Sequence, residues 1–490
     1  MSNLLKGKTG NWEIVIGLEV HAQIKSKSKL FSSSSTKFGS IPNSQVSLVD
    51  AAMPGMLPVV NEYCIRQAVK TGLGLKAKIN MHSVFDRKNY FYADLPQGYQ
   101  ISQYKFPIVG KGIVTVDLPD NNTKDIRIVR LHLEQDAGKS LHDQHPEKTY
   151  VDLNRSGVAL MEIVTEPDIR SSEEASLFIL KLRSILRYLD TSEGNMQDGS
   201  LRADLNVSVK KANENNGTRC EIKNMNSIKF IKQAINYEAK RQIEVLESGG
   251  KINQDTLLFD EESGKTRSMR NKEDAHDYRY FPDPDLLPLE LNDKFIQEIK
   301  NEIPELPDQR KVKYIQKYGL SNYDASLLID DKETSDYFDS IIGIDSNFEK
   351  HSKLIVNWIT SELFALLKKD NISIKNSPIR PKNLGELIKL INSGEISGKI
   401  AKDIFIEMFK TGSSPVEIVK KEGLSQISDL DKIEIIVDKV INNNKDKINE
   451  YNKGKTKLFG YFIGEAMKES KGKANPKILN EVLNKKLSSN

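Results

Sequence analysis

The chain has 490 residues, of which 38% are hydrophobic and 29% charged, which predicts two to four globular domains and excludes wholesale disorder. The net charge of +4 hides a basic C-terminal part, with 25 Lys and Arg against 17 Asp and Glu in residues 351–490. Such an excess of basic residues is typical of proteins that bind a polyanion such as nucleic acid. A general abundance of Lys in this chain explains it equally well. Because Cys64 and Cys220 are the only cysteines, we expect no disulfide framework and no thiolate zinc site, and we expect a cytoplasmic location. Because no uncharged apolar run reaches about 18 residues, we expect neither a signal peptide nor a membrane helix.

The first predicted element is a strand over residues 14–24. Its even-numbered residues are apolar, whereas Glu19, His21 and Gln23 fall on the opposite face. Successive side chains on one face lie about 6 to 7 Å apart, so a carboxylate and an imidazole could reach one ion. An exposed polar strand face explains the same pattern.

Residues 85–104 combine Arg87 and Lys88 with several Tyr and Phe side chains. Basic groups interleaved with aromatic rings can bind phosphate and stack a base or sugar. Core aromatics in a turn-rich region are an equally good interpretation.

Two further strands, over residues 130–136 and 201–209, repeat the polar face. In residues 130–136, His132, Glu134 and Asp136 alternate with leucines, and Glu162 lies inside the apolar stretch 157–164. An unpaired carboxylate is costly to bury there, so Glu162 requires an ion or an arginine as partner.

A helix is predicted over residues 171–189, followed by a strand over 201–209 on which Arg202 and Asp204 share a polar face. A second helix is predicted over 226–248, ended by two glycines. A second aromatic and basic cluster over 267–285 includes His276, Asp277 and Arg279. We expect it to line the same cleft as residues 85–104.

Carboxylates and imidazole without thiolates favour Mg²⁺ or Mn²⁺ over Zn²⁺. Carboxylates and arginines on one sheet face are also what a nucleoside triphosphate and its metal require, so phosphoryl transfer is plausible. The Walker A loop is excluded, because Leu133 and Phe259 stand where the two Gly-Lys-Ser/Thr sequences need a preceding glycine.

After the Pro-rich run 281–288, apolar residues recur at helical spacing. The predicted fold class is therefore α+β, with a β-sheet-rich domain over 1–292, a helical domain over 293–410 and a small helical tail domain over 411–490.

Several motifs together resemble the GatB family, which provides one of the subunits of the aspartyl/glutamyl-tRNA amidotransferases. They are VIGLEVHAQ at 15–23, SKLF at 28–31, FDRKNYFY at 85–92, RLHLEQDAGKS at 130–140, GSLRAD at 199–204 and DYRYFPDPD at 277–285. The resemblance extends from about residue 11 to the C-terminus, through GKIAK at 398–402 and KGKANP at 471–476.

The resemblance implies a cradle-shaped catalytic domain, a tail that binds tRNA, and a heterotrimer whose other members are an amidase-like glutaminase and a small third protein. It implies conversion of glutamyl-tRNA(Gln) or aspartyl-tRNA(Asn) to the amide, using ATP, Mg²⁺ and ammonia from glutamine. The implied metal ligands are Glu19, His21, Glu134 and Glu162. Arg87, Lys88, Arg202 and Asp204 are the implied contacts to the nucleotide or the acceptor end.

One motif departs from the family. Many members of the family carry a four-cysteine zinc site in the loop after SKLF, where the matching positions of this chain are Ser32, Ser34, Ser47 and Asp50. Structural zinc is not expected, and packing is expected to hold the loop instead. Two other functions remain open, a non-catalytic tRNA-binding scaffold and a free-standing metal hydrolase.

Overall fold

The computed structural model describes residues 4–120, 122–212, 214–270, 278–424, 429–452, 454–470 and 472–488. The chain divides into two compact units, Met1–Pro307 and Asp308–Asn490. The first unit holds all of the described strands and the second holds helices. The predicted α+β class is confirmed.

The first unit contains sixteen described strands and four helices. In chain order they are β1 (Leu4–Lys6), β2 (Asn11–Gln23), α1 (Glu62–Gly74), β3 (His82–Ser83), β4 (Asp86–Asn89), β5 (Tyr99–Ser102), β6 (Gly112–Asp117), β7 (Thr123–Gln135), β8 (Lys139–Leu141), β9 (Tyr150–Asp152), β10 (Ala159–Thr165), α2 (Ser172–Leu189), β11 (Leu201–Lys211), β12 (Cys220–Met225), α3 (Ile228–Glu247), β13 (Thr256–Asp260), β14 (Lys265–Arg270), β15 (Phe281–Pro282), β16 (Leu289–Glu290) and α4 (Asp293–Asn301).

A nine-stranded sheet forms the centre of this unit, in the order β14-β13-β12-β11-β2-β10-β7-β6, with β1 paired to β2. The pairs are antiparallel except β12 with β13. The predicted strand 14–24 is the central strand β2, which is why its apolar face is fully buried. Helices α1, α2 and α3 pack on that face, so the polar residues of β2 point to the other side of the sheet.

Both predicted helices of this unit form close to their predicted bounds. The side chain of Ser171 accepts a hydrogen bond from Glu174 N at the start of α2, and the helix ends at Asp190, which has a left-handed backbone conformation. Helix α3 ends one residue before Ser248, and Gly249 follows with a φ of 80°. Local sequence signals therefore predict the ends of these helices to within about two residues.

The second unit is helical. Its helices are α5 (Pro307–Tyr318), α6 (Asn322–Ile329), α7 (Lys332–Ile342), α8 (Ser352–Asn357), α9 (Phe364–Lys369), α10 (Pro381–Asn392), α11 (Gly398–Thr411), α12 (Pro415–Glu422), α13 (Leu430–Asn443), α14 (Lys445–Asn452), α15 (Leu458–Glu469) and α16 (Pro476–Ser488). A π-helical segment, Trp358–Leu363, joins α8 to α9.

The helices of the second unit enclose two separate hydrophobic cores. One contains Phe338, Ile359 and Phe405, and the other contains Val437, Phe462 and Leu483. The predicted ranges 1–292, 293–410 and 411–490 stay a prediction, although Ile299 of α4 packs in the core of the first unit. Among the described residues, no helix is long and apolar enough to span a bilayer.

Candidate functional site

Four neighbouring strands place a row of ionisable residues on the polar face of the large sheet. Glu162 on β10 pairs in register with His21 on β2 and, on its other side, with His132 on β7. Arg202 on β11 pairs with His21 and extends the row. Since directly opposed side chains lie about 5 Å apart, the register alone brings these groups together.

The two imidazoles enclose the carboxylates of Glu134 and Glu162. His21 Nε2 lies 3.3 Å from Glu162 Oε2 and 3.6 Å from Glu134 Oε1. His132 Nε2 lies 3.4 Å from Glu162 Oε2 and 3.7 Å from Glu134 Oε2. Ser102 Oγ on β5 donates to Glu134 at 3.3 Å. We call His21, Glu134 and Glu162 the first carboxylate group.

The first carboxylate group fits a divalent cation. One ligand atom from each of its three residues lies within 4.8 Å of the others. The Nε2 atom of His21 faces both carboxylates, and its Nδ1 atom is buried without a hydrogen-bond partner among the described residues. Two carboxylates and one imidazole are donors that suit Mg²⁺ or Mn²⁺.

The histidines keep both buried carboxylates ionised. Burial opposes charge on Glu162, but His132 and His21 hold the pKa of Glu162 well below its usual range. Burial and the charge of Glu162 oppose ionisation of Glu134 as well, yet His132, Lys88 and His21 lower its pKa. Burial disfavours the charged form of His132, but the adjacent carboxylates raise its pKa to about 9. Two anionic ligands are therefore present at neutral pH.

Lys88 and Arg87 point in opposite directions, because they are adjacent on strand β4. The Lys88 ammonium lies 5.0 Å from the ring centre of Tyr278, and the charges of Glu134 and Glu162 raise the pKa of Lys88 against the effect of burial. Arg87 instead binds Asp283 at 2.9 Å and Asp285 at 2.8 Å. The structure thus brings Lys88, and not Arg87, to the first carboxylate group.

Glu19 belongs to a second carboxylate group with Asp204 and Glu221. Glu19 pairs in register with Asp204 on β11, whereas its neighbour on β10 is Val164. The ligands predicted for one ion are therefore divided between two groups, with only His21, Glu134 and Glu162 in the first. Their assignment as ligands stays a prediction.

A lysine already balances the second carboxylate group. Lys223 Nζ lies 2.9 Å from Asp204 Oδ2 and 2.5 Å from Glu221 Oε1, and Asn206 Nδ2 donates to Glu19 at 3.0 Å. Burial, together with the charges of Glu162 and Glu221, raises the pKa of Glu19. The first carboxylate group therefore suits a cation better than the second, in which Lys223 already offsets the negative charge.

Arg202 is held at the edge of the first carboxylate group by Asp136. Its Nη2 lies 3.2 Å from Asp136 Oδ1, and Gln23 Nε2 donates to Asp136 Oδ2 at 3.2 Å. The charge of Asp136 raises the pKa of Arg202, and Glu134 adds to this effect. The guanidinium of Arg202 is therefore fixed beside the first carboxylate group, on the face of the sheet where the sequence predicted polar side chains.

The two aromatic segments meet, as expected for one cleft. Tyr90 contacts Tyr278 edge to face at 6.1 Å, and Tyr104 stacks on Tyr280 at 4.4 Å. Burial raises the pKa of Tyr280 to about 12, so its hydroxyl stays protonated at neutral pH. His276 and Asp277 of the second segment lie outside the described residues.

The loop after residue 31 is held by a polar network in addition to the packing of the buried residues Leu30 and Phe31, from which it starts. Lys29 Nζ, which is fully buried, lies 3.0 Å from Asp50 Oδ2. Ser32 Oγ and Ser47 N also donate to Asp50, at 3.1 and 2.8 Å. A buried ammonium needs a negatively charged partner, which explains why the Asp50 carboxylate is buried beside Lys29.

Three residues of the site were not predicted from the sequence as ligands or as partners of ligands. His132 was recognised only as a face neighbour, and Glu221 and Lys223 were not recognised at all. The alternation of Cys220, Glu221, Ile222 and Lys223 on β12 is the signal that could have found the last two.

Comparison with known proteins identifies both parts of the chain. A family model described as the GatB/GatE catalytic domain matches residues 14–297, and one described as the GatB domain matches residues 336–487. The first of these matches covers more than half of the chain and includes both carboxylate groups.

Curated relatives match along nearly the whole length. A protein from Pelagibacter ubique (strain HTCC1062) is 60% identical over 485 residues, which cover 99% of this chain and 98% of the relative. Proteins from Rhodopseudomonas palustris (strain BisB5) and Paramagnetospirillum magneticum (strain ATCC 700264 / AMB-1) are each 57% identical, with 98% and 100% of the relative covered and 99% of this chain in both cases. All three are named as the B subunit of an aspartyl/glutamyl-tRNA(Asn/Gln) amidotransferase.

Proposed function

The chain belongs to the GatB family of tRNA-dependent amidotransferase subunits, and we propose that it carries out the ATP-dependent step that forms the amide. The proposed substrate is tRNA(Gln) charged with Glu, tRNA(Asn) charged with Asp, or both. The names of the relatives support this substrate class. The proposed location is the cytoplasm.

The proposed reaction has two steps. A side-chain carboxylate is a poor electrophile at neutral pH, so its oxygen first attacks the γ-phosphorus of ATP, which forms an acyl phosphate and releases ADP. Ammonia then attacks the acyl carbon, phosphate leaves, and the amide remains. Charge builds on the phosphoryl oxygens during the first step, and positioned cations offset it.

We propose that His21, Glu134 and Glu162 hold Mg²⁺ for this reaction. When bound, Mg²⁺ neutralises phosphate oxygens. His132 contributes by keeping Glu162 ionised, and Lys88 supplies a positive charge beside the same carboxylates. Arg202, fixed by Asp136, is the candidate contact to phosphate or to the acceptor end.

Glu19 stays a proposed metal ligand and Asp204 a proposed contact to the nucleotide or the acceptor end, and both belong to the second carboxylate group. Asp204 is paired with Lys223, and Glu19 accepts a hydrogen bond from Asn206. These contacts support only weak binding of a second cation by this group. Arg87 stays a proposed nucleotide contact, although Asp283 and Asp285 occupy its donors.

The proposed partners are an amidase-like glutaminase, which releases ammonia from glutamine, and a small third protein of the same complex. The relatives are named as one lettered subunit of an amidotransferase, which implies a complex of several subunits. No nucleophilic side chain is needed in the proposed reaction, because ammonia itself attacks.

The observation that carries the proposal is the position of Glu162 between two imidazoles, beside Glu134. The test is an amidation assay of the complete complex with each mischarged tRNA, in which ATP, Mg²⁺ and glutamine are omitted in turn. We expect each omission to abolish the product, except that ammonium chloride replaces glutamine. Product formation without ATP contradicts the proposal.

The substitution Glu162→Gln tests the alternative of a non-catalytic scaffold. If the carboxylates are catalytic, amidation falls by about 10²-fold or more while tRNA binding stays within about twofold. A scaffold keeps full amidation after this substitution and loses tRNA binding when the lysines of residues 471–490 are replaced by Gln. A free-standing hydrolase is supported only by activity of the isolated chain.

A further inference from the structure

An open groove of about 810 Å³ lies where the chain leaves the end of strand β2. Its lining combines serine and threonine hydroxyl groups with the ring of Tyr63 and with three lysines, Lys25, Lys27 and Lys37. None of the described residues that line it is acidic. We call this surface the lysine groove.

The lysine groove has a fixed backbone. Ser28 pairs with Ser35 in an antiparallel bridge, which joins the two chain segments that carry the lysines. Thr36 N donates to Lys27 O at 3.4 Å, and Asn61 Nδ2 donates to Ser28 Oγ at 3.0 Å. The backbone positions of the lysines are therefore set without any ligand.

Two of the three ammonium groups are available to an anion. Lys25 Nζ lies 2.8 Å from Asp190 Oδ1 and 3.0 Å from Glu193 Oε1, so its charge is already balanced. Lys27 and Lys37 are exposed and pair with no carboxylate among the described residues. The groove thus holds two positive charges without a counter-charge, together with hydroxyl groups that can donate hydrogen bonds.

Tyr63 adds a flat aromatic surface to the lysine groove. It lies in the first turn of α1, is 48% exposed, and its hydroxyl accepts a hydrogen bond from Gln67 Nε2 at 2.6 Å. An exposed ring that is held in place can stack on a base. Unpaired lysines beside such a ring are the combination by which proteins bind single-stranded nucleic acid.

The lysine groove lies close to the first carboxylate group. Lys25 follows His21 by four residues, so their Cα atoms are at most about 14 Å apart. Gln23, which lies between them, donates to Asp136, and Asp136 holds Arg202. Successive phosphates of a stacked strand lie about 3.4 Å apart, so this distance corresponds to about four nucleotides.

The lysine groove lacks what a nucleoside triphosphate needs. ATP is bound together with Mg²⁺, whose usual protein ligands are carboxylates, and the described lining has none. Phosphates of a nucleic acid chain need no such metal, because lysine side chains neutralise them directly. The chemistry of the groove therefore favours a nucleic acid chain over free ATP.

We infer that the lysine groove binds backbone phosphates of the single-stranded 3′ end of the tRNA substrate. This inference rests on the proposed function for the identity of the nucleic acid. It adds Lys27, Lys37 and Tyr63 to the contacts with the acceptor end and gives them a role in binding rather than in chemistry. The reacting amino acid at the end of the strand then reaches the first carboxylate group.

The test is the double substitution Lys27→Gln and Lys37→Gln in the complete complex, with tRNA binding measured by filter binding at several salt concentrations. Loss of two phosphate contacts should lower the affinity about tenfold or more and reduce the slope of log K against log[salt] by about 1.4. The kcat at saturating tRNA and the KM for ATP should not change. Lys27→Arg with Lys37→Arg keeps both charges and should bind like the wild type. The matched control, Lys111→Gln with Lys240→Gln, removes two exposed charges outside the groove and should also bind normally.

A tRNA that lacks its four 3′-terminal nucleotides locates the contact. Shortening the tRNA and replacing both lysines by Gln should each weaken binding, and together they should weaken it no more than shortening alone. Equal weakening of intact and shortened tRNA by the substitutions overturns the inference, and so does an unchanged affinity and salt slope. A raised KM for ATP at unchanged tRNA affinity also overturns it and assigns the groove to the free nucleotide. If the wild-type complex makes no amide, the proposed function fails while the binding result still decides the inference.

Discussion

Glu162 lies directly opposite His21 across the β2–β10 ladder, and the distance from Nε2 to Oε2 is 3.3 Å. The carboxylate of Glu162 is buried in an otherwise apolar strand, so its charge depends on the imidazoles on either side. This dependence makes the first carboxylate group sensitive to the loss of any one member.

Loss of Glu162 or Glu134 should remove a divalent cation. We expect Glu162→Gln and Glu134→Gln each to weaken Mn²⁺ binding at least about tenfold, because each substitution replaces an anionic ligand by a neutral amide. Asp204→Asn should leave the affinity of the first carboxylate group for Mn²⁺ nearly unchanged. Isothermal titration with MnCl₂ measures the effect without any need for activity.

The Mn²⁺ titration has a control variant and one outcome that would contradict the prediction. Glu147→Gln changes an exposed carboxylate outside both groups and should bind Mn²⁺ like the wild type. If Asp204→Asn removes the tightest binding and Glu162→Gln does not, then the ion occupies the second carboxylate group.

Lys88→Met should slow amidation by about 10²-fold with a smaller change in KM, because the ammonium lies beside Glu134 and Glu162 where charge builds. Arg87→Met should instead destabilise the first unit, because it leaves the buried Asp283 without its ion pair. Steady-state kinetics and thermal unfolding of both variants distinguish these roles. An increase in the KM for ATP in Arg87→Met, at unchanged stability, would support the nucleotide contact proposed for Arg87.

The sequence predicted the faces of the strands but not their neighbours. The alternation of residues 14–24 placed Glu19 and His21 on one side correctly, because the period of a strand is local. Their separation into two groups depends on the register with β10 and β11, where Glu162 faces His21 and Asp204 faces Glu19. Register arises from long-range pairing, which periodicity does not report.

The loop around Asp50 illustrates the same limit. The family resemblance implied that Asp50 stands at a position where many relatives have a zinc ligand, and the cysteine count left no thiolate for such a site. That Lys29 lies within 3.0 Å of Asp50 could not be predicted, because the lysine is 21 residues away and reads as a surface residue.

Both cysteines should be unreactive in the folded protein. Burial raises the pKa of Cys64 and of Cys220 to about 11, and the nucleophile is the thiolate. At pH 8 a thiol with this pKa is only about 0.1% ionised, and this fraction rises about tenfold per pH unit until pH 11. Ellman's reagent should therefore label neither thiol of the native chain at pH 8 and both in guanidinium.

The single variants Cys64→Ser and Cys220→Ser assign any residual reaction to one thiol. Rapid labelling of either cysteine in native protein at pH 7 to 8 is incompatible with the buried environment that the structure assigns to it. Such labelling would point to opening of α1 or of β12, the elements that carry the two residues.

The last prediction concerns the ion pair of Lys29 and Asp50. Asp50→Ala leaves the buried ammonium without its carboxylate and also removes the acceptor of Ser32 and Ser47, so we expect the first unit to lose about 3–5 kcal/mol of stability. The double variant Lys29→Met and Asp50→Ala removes both charges and should recover part of this loss. Glu193→Ala breaks a solvent-exposed ion pair with Lys25 and should cost less than about 1 kcal/mol. Thermal unfolding followed by near-ultraviolet circular dichroism compares the three variants, and equal losses in Asp50→Ala and Glu193→Ala would mean that the Lys29–Asp50 pair does not hold the loop.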